Sequence, residues 1–127
     1  MHAIHSLNLS TLRHTWLIDL DGTVVAHNGY LFGGDSLLPG VTDFFNRIPA
    51  DDKVILLTAR QEKYRKMTIE FLRKHNLRFD EIIFDLPTGE RIVINDTKPK
   101  GLNTAISLNL HRDAGLAGIE ITISNYL

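Results

Sequence analysis

Four short apolar runs, TWLIDL (15–20), KVILLTA (53–59), EIIFD (81–85) and RIVIND (91–96), set the strongest limit on how this chain can fold. Each is apolar at successive positions instead of alternating, which suits strands covered on both faces of a parallel sheet. Parallel strands need crossovers, and segments of helical periodicity lie between the runs. In PGVTDFFNRIP (39–49), Val41, Phe44, Phe45 and Ile48 recur at i, i+3, i+4 and i+7, bracketed by Pro39-Gly40 and Pro49. In RQEKYRKMTIEFLRKHN (60–76), Tyr64, Met67, Phe71 and Leu72 form the apolar face. Its basic residues make a solvated face, and Asn76 stands where a left-handed terminator is expected. Alternating strands and helices predict a mainly parallel sheet with helices on both faces.

The 127 residues are 43% hydrophobic and 23% charged, the balance of one ordinary soluble domain, so residues 1–127 are read as a single unit. The chain has no cysteine, which excludes a disulfide framework, a thiolate metal site and a Cys nucleophile. A net charge of -1 gives no reason to expect nucleic acid as a partner. MHAIHSLNLSTLRH lacks the pattern of a secretory leader, and no apolar run reaches membrane-spanning length, so a cytoplasmic protein without a membrane partner is expected. Towards the C-terminus, AISLNLH (105–111) and GIEITIS (118–124) alternate. They predict two half-exposed strands around a turn at Arg112 to Gly115, after a short helical turn at Gly101 to Thr104.

The first apolar run ends in an unusual way. Asp19 and Asp21 sit at i and i+2, so in an extended segment both project to one side at the carboxyl end of the strand. That edge is where open α/β sheets bind ligands. Two like charges there stay ionised only beside a cation or strong donors, and oxygen ligands without nearby His or Cys favour Mg2+ over zinc. Gly22 permits a sharp turn that brings backbone N–H groups near a bound anion, and Thr23 adds a hydroxyl. The competing reading of Asp-x-Asp-Gly is a solvated turn. Other strand ends add weight: Thr58 closes the second run, although Thr there also suits an N-cap, and Asn95, Asp96, Lys98 and Lys100 follow the fourth. Arg60, after Ala59, either contacts substrate or caps its helix from outside.

From Trp16 to Gly101 the chain resembles the haloacid dehalogenase-like superfamily of phosphotransferases. DLDGT (19–23) matches that superfamily's first motif, ILLTAR (55–60) is similar to the second, and INDTKP (94–99) to the acidic fourth. The resemblance implies a three-layer α/β/α Rossmann-like fold and an Mg2+-dependent hydrolase. It makes Asp19 the nucleophile that forms an aspartyl-phosphate and Asp21 the general acid and base. Thr58, with Gly22, Thr23, Ala59 and Arg60 around it, would bind phosphate, and Asp19, Asp21 and Asp96 would hold the metal. Many relatives carry a lysine before the acidic strand, whereas DLPTGER (85–91) has none, so Lys98 is the candidate for that role, with Lys100 and Lys63 behind it. Asn95 stands where many relatives have Gly or Asp; Asp96 is favoured as the ligand because it keeps the charge.

The short interval between Thr23 and Thr58 leaves no room for a cap domain. HNGYLFGGDSLLPG (27–40) makes either a small hairpin flap, with His27, Tyr30 and Phe32 at the mouth, or a plain long connection. An uncovered site suits a phosphorylated macromolecule, or a homo-oligomer acting on a small phosphate ester. Capless relatives include phosphatases of sugar phosphates in bacterial surface-polysaccharide pathways, and this compact chain is most similar to those. Two other functions fit some of these features: a receiver-like phospho-acceptor, disfavoured by the order of the motifs, and a catalytically silent binding or assembly module, disfavoured by the intact Asp21.

Overall fold

The computed structural model describes residues 4–127; Met1 to Ala3, where the stretch read for a leader begins, lie outside it. The elements run β1 (His5–Leu9), β2 (Thr15–Asp19), α1 (Val41–Arg47), β3 (Lys53–Leu57), α2 (Arg65–Lys74), β4 (Glu81–Ile83) and β5 (Ile119–Ile123), with 3-10 turns at Gly29–Leu31 and Glu62–Tyr64. β2, β3 and β4 pair in parallel in that order, with Asp19 opposite Leu57 and Leu57 opposite Ile83. The carboxyl ends of all three strands are therefore level. A second, two-stranded sheet pairs β1 with β5 in parallel, His5 opposite Ile119 and Leu9 opposite Ile123. The architecture is α/β with open parallel sheets. No helix among the described residues is long and apolar enough to cross a membrane.

Both expected helices form. α1 buries Val41, Phe44 and Phe45, the face its periodicity marks, and Ile48 is buried just beyond it. α2 turns differently from expectation: Thr68 and Leu72 are buried while Met67 is exposed. The rotation has a polar cause, since the Thr68 hydroxyl accepts a hydrogen bond from the buried Arg60 Nη1 at 2.9 Å. Asn76 adopts φ 56 just after α2, the left-handed terminator its position suggested.

The C-terminal third departs from the sequence expectations. RIVIND forms no strand; Ile92 and Ile94 are 81% and 90% exposed. Apolar content makes a strand only where a neighbour supplies ladder partners, and here the run finds none. AISLNLH is likewise irregular, and GIEITIS forms β5 by joining β1, at the far end of the chain, instead of a hairpin. Gly101 to Thr104 is not helical but belongs to a turn closed by a Thr97–Asn103 bridge. The predicted turn after 111 does form, with Asp113 at φ 64 and Gly115 at φ 85.

One core joins both sheets: Leu20, Val24, Val54, Leu56 and Leu72 are almost fully enclosed, and Leu7, Leu9 and Ile119 pack into the same cluster. Polar clamps hold the amino ends of the strands, opposite the edge that carries Asp19 and Asp21. Buried Asp52 accepts hydrogen bonds from the His14 backbone N–H at 3.0 Å and the Trp16 indole at 3.0 Å, and its Oδ2 lies 2.7 Å from His14 Nδ1. Burial works against charge on Asp52, yet these hydrogen bonds, Trp16 first, prevail and hold the carboxyl below its ordinary value.

Candidate functional site

The chain leaves β2 at Asp19, drops Leu20 into the core, and folds back over it. Leu20 is wholly buried, and its carbonyl accepts the N–H groups of Thr23, Val24 and Val25 at 3.4, 2.9 and 3.1 Å. This anchor leaves Asp19 and Asp21 on the other side, where with Gly22, Thr23, Leu110 and Arg112 they line a polar pocket of about 290 Å³. Gly22, at φ 87, makes the reversal at a backbone angle that side-chain-bearing residues rarely adopt.

The two carboxylates occupy different settings. Asp19 is 39% exposed; its Oδ2 accepts from the Thr23 hydroxyl at 2.8 Å and its Oδ1 from Arg91 Nη1 at 2.6 Å. Asp21 lies deeper. Its Oδ2 accepts the Thr58 hydroxyl at 2.7 Å, and its Oδ1 accepts Arg60 Nε at 3.0 Å with Nη2 at 2.9 Å. The counter-ions that the carboxylate pair requires are thus two guanidinium groups, Arg91 and Arg60. The Arg91 pair is half open to water and is worth about 0–1 kcal/mol, so it exchanges readily.

Arg60 is the most constrained side chain of the site. It is 2% exposed, and its N–H groups reach Asp21, both oxygens of Asp35 (2.9 and 2.6 Å) and Thr68. Its Cζ lies over the Tyr30 ring, 4.0 Å from the centroid, and Tyr30 meets Tyr64 edge-on at 4.9 Å. Burial alone would weaken the Arg60 cation, but the hydrogen bonds to Asp35 and then Asp21 outweigh it and raise its pKa. Burial, followed by the nearby Asp21 charge, pushes the Tyr30 phenol up as well. Arg60 therefore serves as a strut, and the helix-cap positions that follow it are taken by Gln61 and Tyr64. Through Asp35 and Tyr30 it ties the 27–40 segment to the carboxyl edge of the sheet. That segment is a loop without strands, closed at its base by a Val25–Leu37 antiparallel bridge and by Ala26 N–H to Ser36 O at 3.1 Å. Phe32 at its tip is 80% exposed, and the His27 backbone N–H donates to Asp113 Oδ1 at 2.8 Å.

Of the residues expected at the site, Asp19, Asp21, Gly22 and Thr23 line the pocket, and Thr58 and Arg60 lie directly behind it. Ala59 is exposed. Asp96 and Lys98 are exposed on the irregular 86–104 segment, and their hydrogen bonds are backbone ones: the Asp96 carbonyl accepts from the Thr104 hydroxyl and Lys98 N–H donates to Leu102 O. Among the described residues no three acidic or histidine side chains converge. Mg2+ usually keeps several waters and needs only one or two protein carboxylates, so the Asp19 and Asp21 oxygens around an open polar pocket fit it by donor chemistry. Sequence reading missed Arg91, Arg112 and Asp35. Arg91 follows a polar loop and Asp35 a glycine pair, neither of which marks a site, and Arg112 reaches Gly22 across most of the chain.

Comparison with known proteins gives no matching family model, curated protein or solved structure.

Proposed function

We propose that this chain is a Mg2+-dependent phosphatase of the haloacid dehalogenase-like type, with a three-layer Rossmann-like fold, that hydrolyses a phosphate monoester through an aspartyl-phosphate on Asp19. The observation that carries this reading is the inequality of the two carboxylates in one pocket. Asp19 is open to an incoming phosphoryl group, whereas Asp21 is held in one orientation by Thr58 and Arg60. A nucleophile must reach phosphorus, and a proton carrier must keep its position through two half-reactions.

In the first half-reaction an Asp19 oxygen attacks phosphorus, the bond to the leaving oxygen breaks, and Asp21 gives that oxygen a proton. In the second, Asp21 takes a proton from water, the water oxygen attacks the phosphorus, and Asp19 departs as free carboxylate with release of inorganic phosphate. Mg2+, held by Asp19 and Asp21, would neutralise charge between the nucleophile and the phosphoryl oxygens. Asp96 and Lys98 join the site in this reading when the 91–98 segment settles against the pocket. In support, Arg91 already anchors that segment at Asp19, and Ile92, Val93 and Ile94 form an exposed apolar run without cover.

The small polar pocket favours a phosphorylated small molecule of sugar-phosphate type, with a second copy of the chain as cover for the open face. Turnover of an aryl phosphate tests the reading. It is expected to require Mg2+, to stop on addition of EDTA and to vanish in Asp19→Asn. Turnover that survives both changes refutes it, and so does a failure to hydrolyse any ester of a broad panel.

A further inference from the structure

Binding a phosphoryl group requires free N–H or O–H donors, and most of those around this pocket are already engaged. The Gly22 N–H donates to Val25 O at 2.7 Å, the Thr23 hydroxyl to Asp19 and the Thr58 hydroxyl to Asp21. The Arg60 guanidinium is divided among Asp21, Asp35 and Thr68. The loop that the sequence marks as a phosphate cradle thus spends its protons on its own acceptors. Its remaining walls are Leu110 and Arg112.

Arg112 is held over the loop by its neighbours. Asp113 N–H donates to Gly22 O at 2.8 Å, and Asp113 Oδ1 accepts the His27 N–H at 2.8 Å, with Asp113 at φ 64. The Arg112 stem lies so close that a Cβ on Gly22 would stand 3.2 Å from its Cγ. Its guanidinium enters none of the ion pairs or hydrogen bonds formed among the described residues. It is an uncommitted planar fork of donors on the wall of a pocket that holds two carboxylates.

We propose that Arg112 binds the phosphoryl group of the substrate. Its fork matches two phosphoryl oxygens at once, and its charge offsets the repulsion that Asp19 and Asp21 impose on an anion. As a statement about the substrate this rests on the phosphatase reading, but Arg112 contacts phosphate whether or not turnover follows.

The test measures binding of inorganic phosphate by calorimetry in the presence of Mg2+, alongside aryl phosphate kinetics. It uses the wild type, Arg112→Gln, Arg112→Lys and Asp19→Asn. Arg112→Gln is expected to weaken phosphate binding by about 10- to 100-fold, the loss typical of a hydrogen bond to a charged group, and to lower kcat/KM by a similar factor. Arg112→Lys, which keeps the charge without the fork, is expected to recover part of both. Phosphate binding and KM unchanged in Arg112→Gln would overturn the assignment while leaving the phosphatase reading intact if Asp19→Asn is inactive. Arg112-dependent phosphate binding without turnover of any ester would sustain the assignment and overturn the phosphatase reading. A wild type that binds no phosphate overturns the assignment outright.

Discussion

Replacing Arg60 by Met tests the site and the fold together. The side chain is enclosed, and its partners Asp21 and Asp35 are 16% and 3% exposed. Arg60→Met fills similar volume but leaves both carboxylates without their cation and the Thr68 hydroxyl without its donor. Breaking one partner out of a buried ion pair typically costs about 3–5 kcal/mol, because the remaining charge stays buried and unpaired. A single domain has only about 5–15 kcal/mol in total, so the variant is expected to be marginally stable. With a urea slope of about 1–3 kcal/mol per molar, the midpoint falls by more than about 1 M. Two further variants separate the causes. Arg60→Lys keeps a charge but cannot fork to both acids and falls between wild type and Met. Arg60→Met with Asp35→Leu removes one stranded charge and is more stable than Arg60→Met alone. A loss below about 1 kcal/mol in Arg60→Met, within the range of a surface pair, would refute the view of Arg60 as a buried strut.

Asp52 gives a pH signature. Its folded carboxyl sits below the ordinary value of about 3.9, so its stabilisation is present above that pH and lost as pH falls through the lower folded value. The urea-midpoint difference between wild type and Asp52→Asn should shrink as pH falls below about 4. Gly40→Ala forces a Cβ within 2.5 Å of Ala117 N at φ 77, and calorimetric melting should show a loss of about 2–4 kcal/mol. Gly33→Ala, with φ 101 and open space around it, should lose only about 1–2 kcal/mol. Thr58→Val removes the hydroxyl that fixes Asp21, and kcat for an aryl phosphate should fall about 10- to 100-fold while Mg2+ dependence persists.

The sequence made the local structure legible and left the long-range pairing hidden. TWLIDL, KVILLTA and EIIFD announce strands because they are short, apolar and bounded by turn residues, and all three pair in one sheet. RIVIND carries the same signal and stays irregular, since periodicity reports burial preference but not whether a partner edge is within reach. β1 and β5 stand at opposite ends of the chain, so nothing local ties HSLNL to IEITI. At the site, the i, i+2 spacing correctly put Asp19 and Asp21 on one side and Leu20 on the other. Their cations were not legible in the same way. Arg60 closes the ILLTAR run, but its burial depends on Asp35 in the 27–40 loop and Thr68 on α2. Arg112 approaches Gly22 only through the Asp113 turn.

A phosphatase working through Asp19 becomes phosphorylated at that residue during turnover, and this species can be trapped. In Asp21→Asn the first half-reaction can still occur with a good leaving group, but water activation is lost, so the acyl-phosphate should accumulate. Mass spectrometry of acid-quenched Asp21→Asn after mixing with an aryl phosphate and Mg2+ should find a phosphoryl adduct on the peptide carrying Asp19. The adduct should be absent when Asp19 is also replaced by Asn. Wild-type turnover with no adduct in this variant, or an adduct that persists after loss of Asp19, would rule out Asp19 as the nucleophile.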